Sequence, residues 1–152
     1  MSSIYALMAA LIANVLAQVL KPIVLYFRTA KFDVHQCIAC GGFPSSHSST
    51  VAALTTAIAL SEGVDSTYFA ITCVFSFIVI YDACNVRYYA GRNIQLTKQL
   101  ITDLEAMKGL KFNDPIYHEK IKSVLGHKFI EIIGGIVLGI FVSLIMYQII
   151  HL

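Results

Sequence analysis

The sequence contains few charged residues. Asp, Glu, Lys and Arg make up 13% of the 152 residues, whereas 57% of the residues are hydrophobic. Soluble domains usually contain about 25% charged residues. This deficit predicts a membrane protein, and the length predicts a single domain over residues 1–152. The formal net charge of +2 is too small to indicate a nucleic-acid-binding protein.

The sequence also lacks the features of a secretion signal and of a metal centre. No basic region precedes the first apolar run, and no small-residue cleavage site followed by a soluble domain is present, so we expect this run to be retained. No cluster of carboxylates suggests a two-metal site. Cys37 and Cys40 have the spacing of half a zinc site, but no second pair completes it. We therefore predict reduced, structural cysteines, no metal and no cofactor.

Four apolar segments predict an all-α, integral-membrane bundle of about four spanning helices. The segments are 4–20, 51–60, 67–83 and 129–150. The second is short for a span, so we expect it to be tilted or sheltered among the other helices. Lys21-Pro22 predicts a kink or a new helical segment after the first span. Short amphipathic helices are predicted on the cytoplasmic side at 94–110 and 117–125.

The basic residues are distributed on one side of such a bundle. Four crossings place residues 21–47 and 84–128 together, and these two stretches contain all eleven Lys and Arg residues. The opposite side receives both termini and the 61–66 turn. The positive-inside rule predicts that the basic side is cytoplasmic and that both termini lie on the opposite side.

Every candidate polar motif lies on this basic side. On the first helix, Asn14, Gln18 and Lys21 share one face, which is either a helix-packing stripe or the wall of a polar site. Ser45 or Ser46 is placed to cap the next helix, whose first-turn N–H groups favour a negatively charged group. The four pieces of the candidate site are Lys21-x6-Arg28, Pro44-Ser45-Ser46-His47, Asp82 with Arg87, and His127-x3-Glu131.

These residue types suit phosphoryl transfer. At i, i+4 spacing, the Glu131 carboxylate can hold one imidazole nitrogen of His127 and leave the other free to attack. A second histidine, His47, can protonate a leaving alkoxide. Each piece also has a structural interpretation: a membrane-interface pair of cations, an ion pair, or a polar contact at a helix start. Their common location favours the chemical interpretation.

In their order, K-x6-R, P-S-S-H and H-x3-E resemble the three signatures of type 2 phosphatidic acid phosphatases, whose superfamily includes vanadium-dependent haloperoxidases. Gly-Gly-Phe-Pro-Ser-Ser-His-Ser, Tyr-Asp-Ala-x-x-Val-Arg and Leu-Gly-His resemble its divergent branch of small proteins, over nearly the whole chain. The sequence departs from the usual motifs at four positions. Thr29 replaces proline, Ser46 replaces glycine, Glu131 replaces aspartate, and Ile121 stands where the third motif has arginine.

The resemblance implies a metal-independent phosphatase that hydrolyses a lipid phosphomonoester or diphosphate through a phosphohistidine. It implies that His127 is the nucleophile, that Glu131 orients it and that His47 is the general acid. The implied phosphate ligands are Lys21, Arg28, Ser45, Ser46 and Arg87, where Arg87 substitutes for the missing arginine and Asp82 positions it.

Several alternatives remain open. Phosphatidylglycerophosphate, phosphatidic acid and isoprenyl diphosphates all fit as substrates, and a cytoplasmic site favours a biosynthetic intermediate. The missing arginine supports a non-catalytic membrane protein that binds anionic lipid or phosphate. A small transporter would need an inverted repeat, which the sequence lacks. Gly134-Gly135-x3-Gly139 is typical of helix packing, either within the chain or between two copies.

Overall fold

The computed structural model describes residues 2–30, 33, 41–108 and 129–151. Within these ranges the chain forms helices and no strand, which confirms the all-α prediction. A π-helical turn at Asp82–Val86 connects the third and fourth helices. The helices are α1 (Ser2–Thr29), α2 (Ser46–Glu62), α3 (Thr67–Tyr81), α4 (Arg87–Lys108) and α5 (Phe129–His151).

Three stretches of the described chain are long and apolar enough to cross a membrane. They are Ile4–Thr29, Thr67–Leu104 and Phe129–Ile150. With 17 residues, α2 is shorter than these three stretches. It contacts α1, α3 and α5, so the short helix is sheltered, which is one of the two arrangements expected for it.

Helix α1 runs antiparallel to both α2 and α5. Near the start of α1, Tyr5 packs with Ala57 of α2, and its ring centroid lies 6.0 Å from that of Tyr147 in α5. At the other end of α1, Leu20 lines the same cavity as Pro44 and Ile130. The end of α1 and the starts of α2 and α5 therefore lie together, at what we call the motif end of the bundle.

Small residues allow these helices to approach closely. Ala9, Ala13 and Ala53 are fully buried between α1, α2 and α5. A Cβ atom at Gly139 of α5 would overlap the Ser49 carbonyl oxygen and lie 2.8 Å from the Ala53 nitrogen. Lipid tails are as apolar as the helices, so close van der Waals packing holds such helices together. The glycine stripe is therefore used within the chain, to pack α5 on α2.

Hydroxyl groups add polar links between the helices. Ser49 Oγ donates to the Ala13 carbonyl of α1 at 3.0 Å, and Ser143 Oγ of α5 donates to the Ala53 carbonyl at 2.9 Å. The hydroxyls of Thr55 and Ser76 lie 2.8 Å apart and join α2 to α3. Each of these side chains satisfies its hydrogen-bonding capacity inside an apolar bundle, where an unmade bond is costly.

Two helix boundaries differ from the predictions. Helix α1 continues through Pro22 to Thr29 as one helix, so no new helical segment begins at Pro22. The helix that contains the third predicted span does not end near residue 83, because the π-turn carries it on into α4, which includes most of the amphipathic segment predicted at 94–110. A π-turn accommodates an extra residue without ending the helix, so the polar residues after Tyr81 do not interrupt it. The short helix predicted at 117–125 lies outside the described residues.

Candidate functional site

The start of α2 is a capped helix N-terminus inside the protein. Ser45 is the N-cap, with an extended backbone, and its Oγ accepts hydrogen bonds from the backbone N–H of Ser48 at 3.3 Å and from Ser48 Oγ at 3.1 Å. Ser46 is the first helical residue, and both Ser45 and Ser46 are buried. Of the two serines predicted to cap the helix, Ser45 does so.

The start of α2 is attached to the first turn of α5. The backbone N–H of Ser45 donates to the carbonyl oxygen of Glu131 at 2.9 Å. One turn further along α5, a Cβ atom at Gly135 would overlap the Ser45 carbonyl oxygen and lie 3.0 Å from Ser48 Cβ. The missing side chain at Gly135 thus lets the second and third motifs approach each other.

The polar stripe of α1 faces the same place. Asn14 Nδ2 donates to Thr50 Oγ1 at 2.8 Å, and Thr50 Oγ1 donates to the Ser46 carbonyl at 2.7 Å. One turn along α1, Gln18 Oε1 is buried without a hydrogen-bond partner among the described residues. Next on this face comes Lys21, whose side chain is only 2% exposed. The stripe therefore lies against α2 rather than against lipid.

The motif end combines charge of both signs in a buried environment. The Lys21 ammonium and the Glu131 carboxylate, which is 9% exposed, lie on the two helices that flank the start of α2. His47, in the first turn of α2, is half-buried. Burial of an ionised group is costly unless polar groups surround it. A buried cation beside a helix N-terminus, whose dipole is positive, forms an environment suited to an anion. We call Lys21, Ser45, Ser46, His47 and Glu131 the polar cluster.

Three other predicted site residues lie on the last part of α1, on the π-turn and on α4. Arg28 is exposed near the end of α1, two turns beyond Lys21. Asp82 lines a cavity of about 640 Å³ with Cys73 and Tyr81, and none of the described residues that line it belongs to the polar cluster. Arg87 begins α4.

Further predictions concern residues outside the described ranges. His127 precedes α5 by two residues in the sequence and lies outside them, as do Ile121, Cys37 and Cys40. The roles predicted for these residues stay predictions. Within the described part of the chain, no three His, Cys, Asp or Glu side chains form a group that could hold a metal ion.

Two residues that shape the site were not predicted to do so, although Gly135 was predicted to take part in helix packing. Thr50 links the α1 stripe to Ser46, and Gly135 admits the Ser45 backbone. The position of Gly135, one turn after Glu131, was a usable signal, because a small residue there allows a second helix to approach. Nothing in the sequence pattern singled out Thr50 from the neighbouring hydroxyl residues.

Known proteins support the assignment suggested by the motifs. The model of the family described as the divergent PAP2 family matches residues 3–142. The Bacillus subtilis membrane protein YuiD is 35% identical over 147 residues, which cover 93% of each chain. No solved structure matches this chain. With a match over most of its length, a membrane-protein relative and three apolar helices long enough to span a bilayer, the chain belongs to the divergent PAP2 family of membrane proteins.

Proposed function

We propose that the protein is a membrane-embedded phosphatase that removes phosphate from a lipid phosphate at the motif end of the bundle. The observation that carries this proposal is the position of Lys21, which is buried on α1 and follows Leu20, a residue that lines the same cavity as Pro44 before the capped start of α2. A buried ammonium near a helix N-terminus is a poor choice for packing alone, since hydrophobic residues would fill the same volume at lower cost. It suits a doubly charged phosphate group.

Phosphate is held by three kinds of group in this proposal. The first turn of α2 offers backbone N–H groups and the positive end of its dipole. Ser46 adds a hydroxyl, and Lys21 adds a full positive charge. Arg28 and Arg87 complete the set only when they approach the substrate, with Asp82 positioning Arg87. These donors also meet the negative charge that develops on the phosphoryl oxygens during transfer.

The reaction is a double displacement. His127 attacks phosphorus and forms a P–N bond as the P–O bond to the lipid breaks, and His47 gives its proton to the departing alkoxide. Water then attacks the phosphohistidine and gives a proton to His47, and the P–N bond breaks to release inorganic phosphate and restore both histidines. Glu131, in the first turn of α5, accepts a hydrogen bond from the other nitrogen of His127 and keeps the imidazole oriented. Each step uses histidines, cations and one carboxylate, so we expect no requirement for a divalent metal.

Lipid phosphates are the substrates that suit this location. The phosphate site adjoins apolar helices, so the lipid can remain in the bilayer while its phosphate enters the motif end. Phosphatidylglycerophosphate and phosphatidic acid are the first candidates, and isoprenyl diphosphates are the next. The concentration of Lys and Arg on the same side supports a cytoplasmic site and termini on the opposite side.

The test is a phosphate-release assay of purified protein against a panel of lipid phosphates, with a chelator present. We expect release from at least one lipid, and none from a His127→Ala variant. Loss of activity in chelator and recovery with magnesium or manganese would contradict the mechanism. Saturable binding of lipid phosphate without release would favour the non-catalytic alternative, which is supported by Ile121 at the position of the motif arginine.

A further inference from the structure

An apolar groove opens beside the polar cluster, on the face formed by α1 and α5. Its volume is about 410 Å³, within the range of small-molecule sites, roughly 300–1,000 Å³. The described residues that line it come from α1, from the turn before α2 and from the first half of α5. They are Leu20, Val24, Phe43, Pro44, Ile130, Ile133, Gly134, Val137, Leu138 and Phe141.

At three places in the chain, a residue that lines the groove is followed directly by a residue of the polar cluster. On α1, Leu20 lines the groove and Lys21 belongs to the cluster. Before α2, Pro44 lines the groove and Ser45 caps the helix. At the start of α5, Ile130 lines the groove and Glu131 belongs to the cluster. Three separate elements thus each change from a groove residue to a cluster residue within one step of the chain.

Such a boundary fits an amphiphile whose anionic group is joined directly to a hydrocarbon chain. We propose that the groove holds the first part of a single acyl or prenyl chain of the lipid phosphate, while the phosphate lies at Lys21 and the start of α2. This inference rests on the proposed function, because it names the substrate class of that same site. The chain enters sideways from the bilayer, since Val137 and Phe141 are 61% and 60% exposed on the membrane-spanning part of α5.

Phe43 lines the groove and packs against α5. A Cβ atom at Gly134 would overlap the Phe43 ring, so the ring packs directly on the backbone of α5. Phe43 is two residues before Ser45, so a ring that lines the groove is close in the chain to the N-cap of α2. A chain that lies against this ring has its polar end directed at the cluster.

The groove positions the chain more than it increases affinity. A lipid chain that moves from the bilayer into the groove exchanges one apolar environment for another, so little hydrophobic free energy is gained. The contribution is geometric, because a misplacement of about 1 Å at the reacting atoms can cost roughly a hundredfold in rate. A blocked groove should therefore lower turnover of long-chain substrates more than turnover of short ones.

The experiment compares Val137→Trp with Leu144→Trp. Leu144 lies two turns further along α5 and is 44% exposed, and it does not line the groove. For each variant, kcat/KM is measured on a long-chain lipid phosphate in mixed micelles and on a short, water-soluble phosphate ester. We expect the long-to-short ratio to fall at least about tenfold in Val137→Trp and to stay unchanged in Leu144→Trp. Equal ratios in both variants would overturn the inference.

A second measurement separates this inference from the proposed function. The wild-type protein is irradiated with a lipid phosphate that carries a diazirine near the head-group end of its chain. We expect crosslinks on the groove face of α1 and α5, reduced by unlabelled lipid phosphate and not by the same lipid without phosphate. If no substrate releases phosphate, the proposed function fails, and these crosslinks still test the groove. Crosslinks spread evenly over α3 and α5 would refute it.

Discussion

The backbone N–H of Ser45 and the carbonyl oxygen of Glu131 are joined by a hydrogen bond of 2.9 Å. This bond sets the distance between the start of α2 and the first turn of α5, and therefore between two motifs that are far apart in the sequence. The site thus depends on how closely two helices approach, and that approach depends on glycines of α5.

A methyl group at Gly135 is expected to destabilise the protein and lower its activity. The added Cβ overlaps the Ser45 carbonyl oxygen, and backbone atoms cannot move aside as a flexible side chain can. We expect Gly135→Ala to lower the free energy of unfolding by about 1–3 kcal/mol, the usual cost of overpacking. Thermal unfolding in detergent measures this change.

Gly139→Ala is the matched control for Gly135→Ala. It also overpacks α5 against α2, at the Ser49 carbonyl and the Ala53 nitrogen, away from the N-cap. Both variants should unfold at lower temperature, and only Gly135→Ala should lower the phosphate release per folded molecule. A wild-type melting temperature for Gly135→Ala would show that the two helices are not held this closely.

Lys21 and Arg28 are expected to contribute unequally to phosphate binding. Lys21 is buried at the motif end, whereas Arg28 is exposed and screened by solvent. We expect Lys21→Met to lower kcat/KM for a lipid phosphate by about 10²–10³-fold, as loss of one donor to a developing oxyanion does. Arg28→Gln should lower it only a few-fold. Equal losses, with both variants folded, would indicate that Arg28 reaches the phosphate after all.

The two histidines are expected to have separable roles. His127→Ala should abolish turnover of every substrate, because no nucleophile remains. His47→Ala should lower turnover of lipid phosphates by about 10²–10⁴-fold and partly spare an activated aryl phosphate, whose phenolate needs little protonation to leave. Steady-state assays on the two substrate types measure this difference.

A trapped intermediate provides the corresponding direct observation. Rapid quench with labelled substrate should yield an acid-labile, base-stable phosphohistidine in the wild type, and Glu131→Gln should slow its formation. If His127→Ala keeps near-normal activity on lipid phosphates, the nucleophile must be sought elsewhere, first at Asp82.

Both termini are expected on the side opposite to the basic residues. In a variant without native cysteines, a cysteine at Ser2 and one at Asp65 should react with an impermeant reagent from the outside of intact cells. A cysteine at Thr29, at the motif end, should react only after the cells are opened. Labelling of the Ser2 position only from the cytoplasmic side would overturn the proposed orientation.

The sequence predicted the elements of this protein better than their boundaries. The apolar runs identified the three long spans, since length and composition decide whether a helix suits a bilayer. The helix that contains the third predicted span is longer than that span, because the polar residues of Asp82–Val86 looked like a helix end and instead form a π-turn inside a continuous helix. Hydropathy reports the local environment of a segment, and it does not report whether the backbone hydrogen bonds continue.

The sequence alone determined the membrane character and the helical class, because these properties follow from composition and from the period of the apolar residues. Only the tertiary structure decided which partner each face meets. Lys21 and Arg28 occupy the same face of α1 seven residues apart, yet one is buried and the other is exposed. From the sequence, the glycines of α5 could pack within the chain or between two copies. In the structure, Gly135 and Gly139 pack against the start and first half of α2. Periodicity shows which residues share a face, whereas the depth of burial depends on where distant segments begin and end.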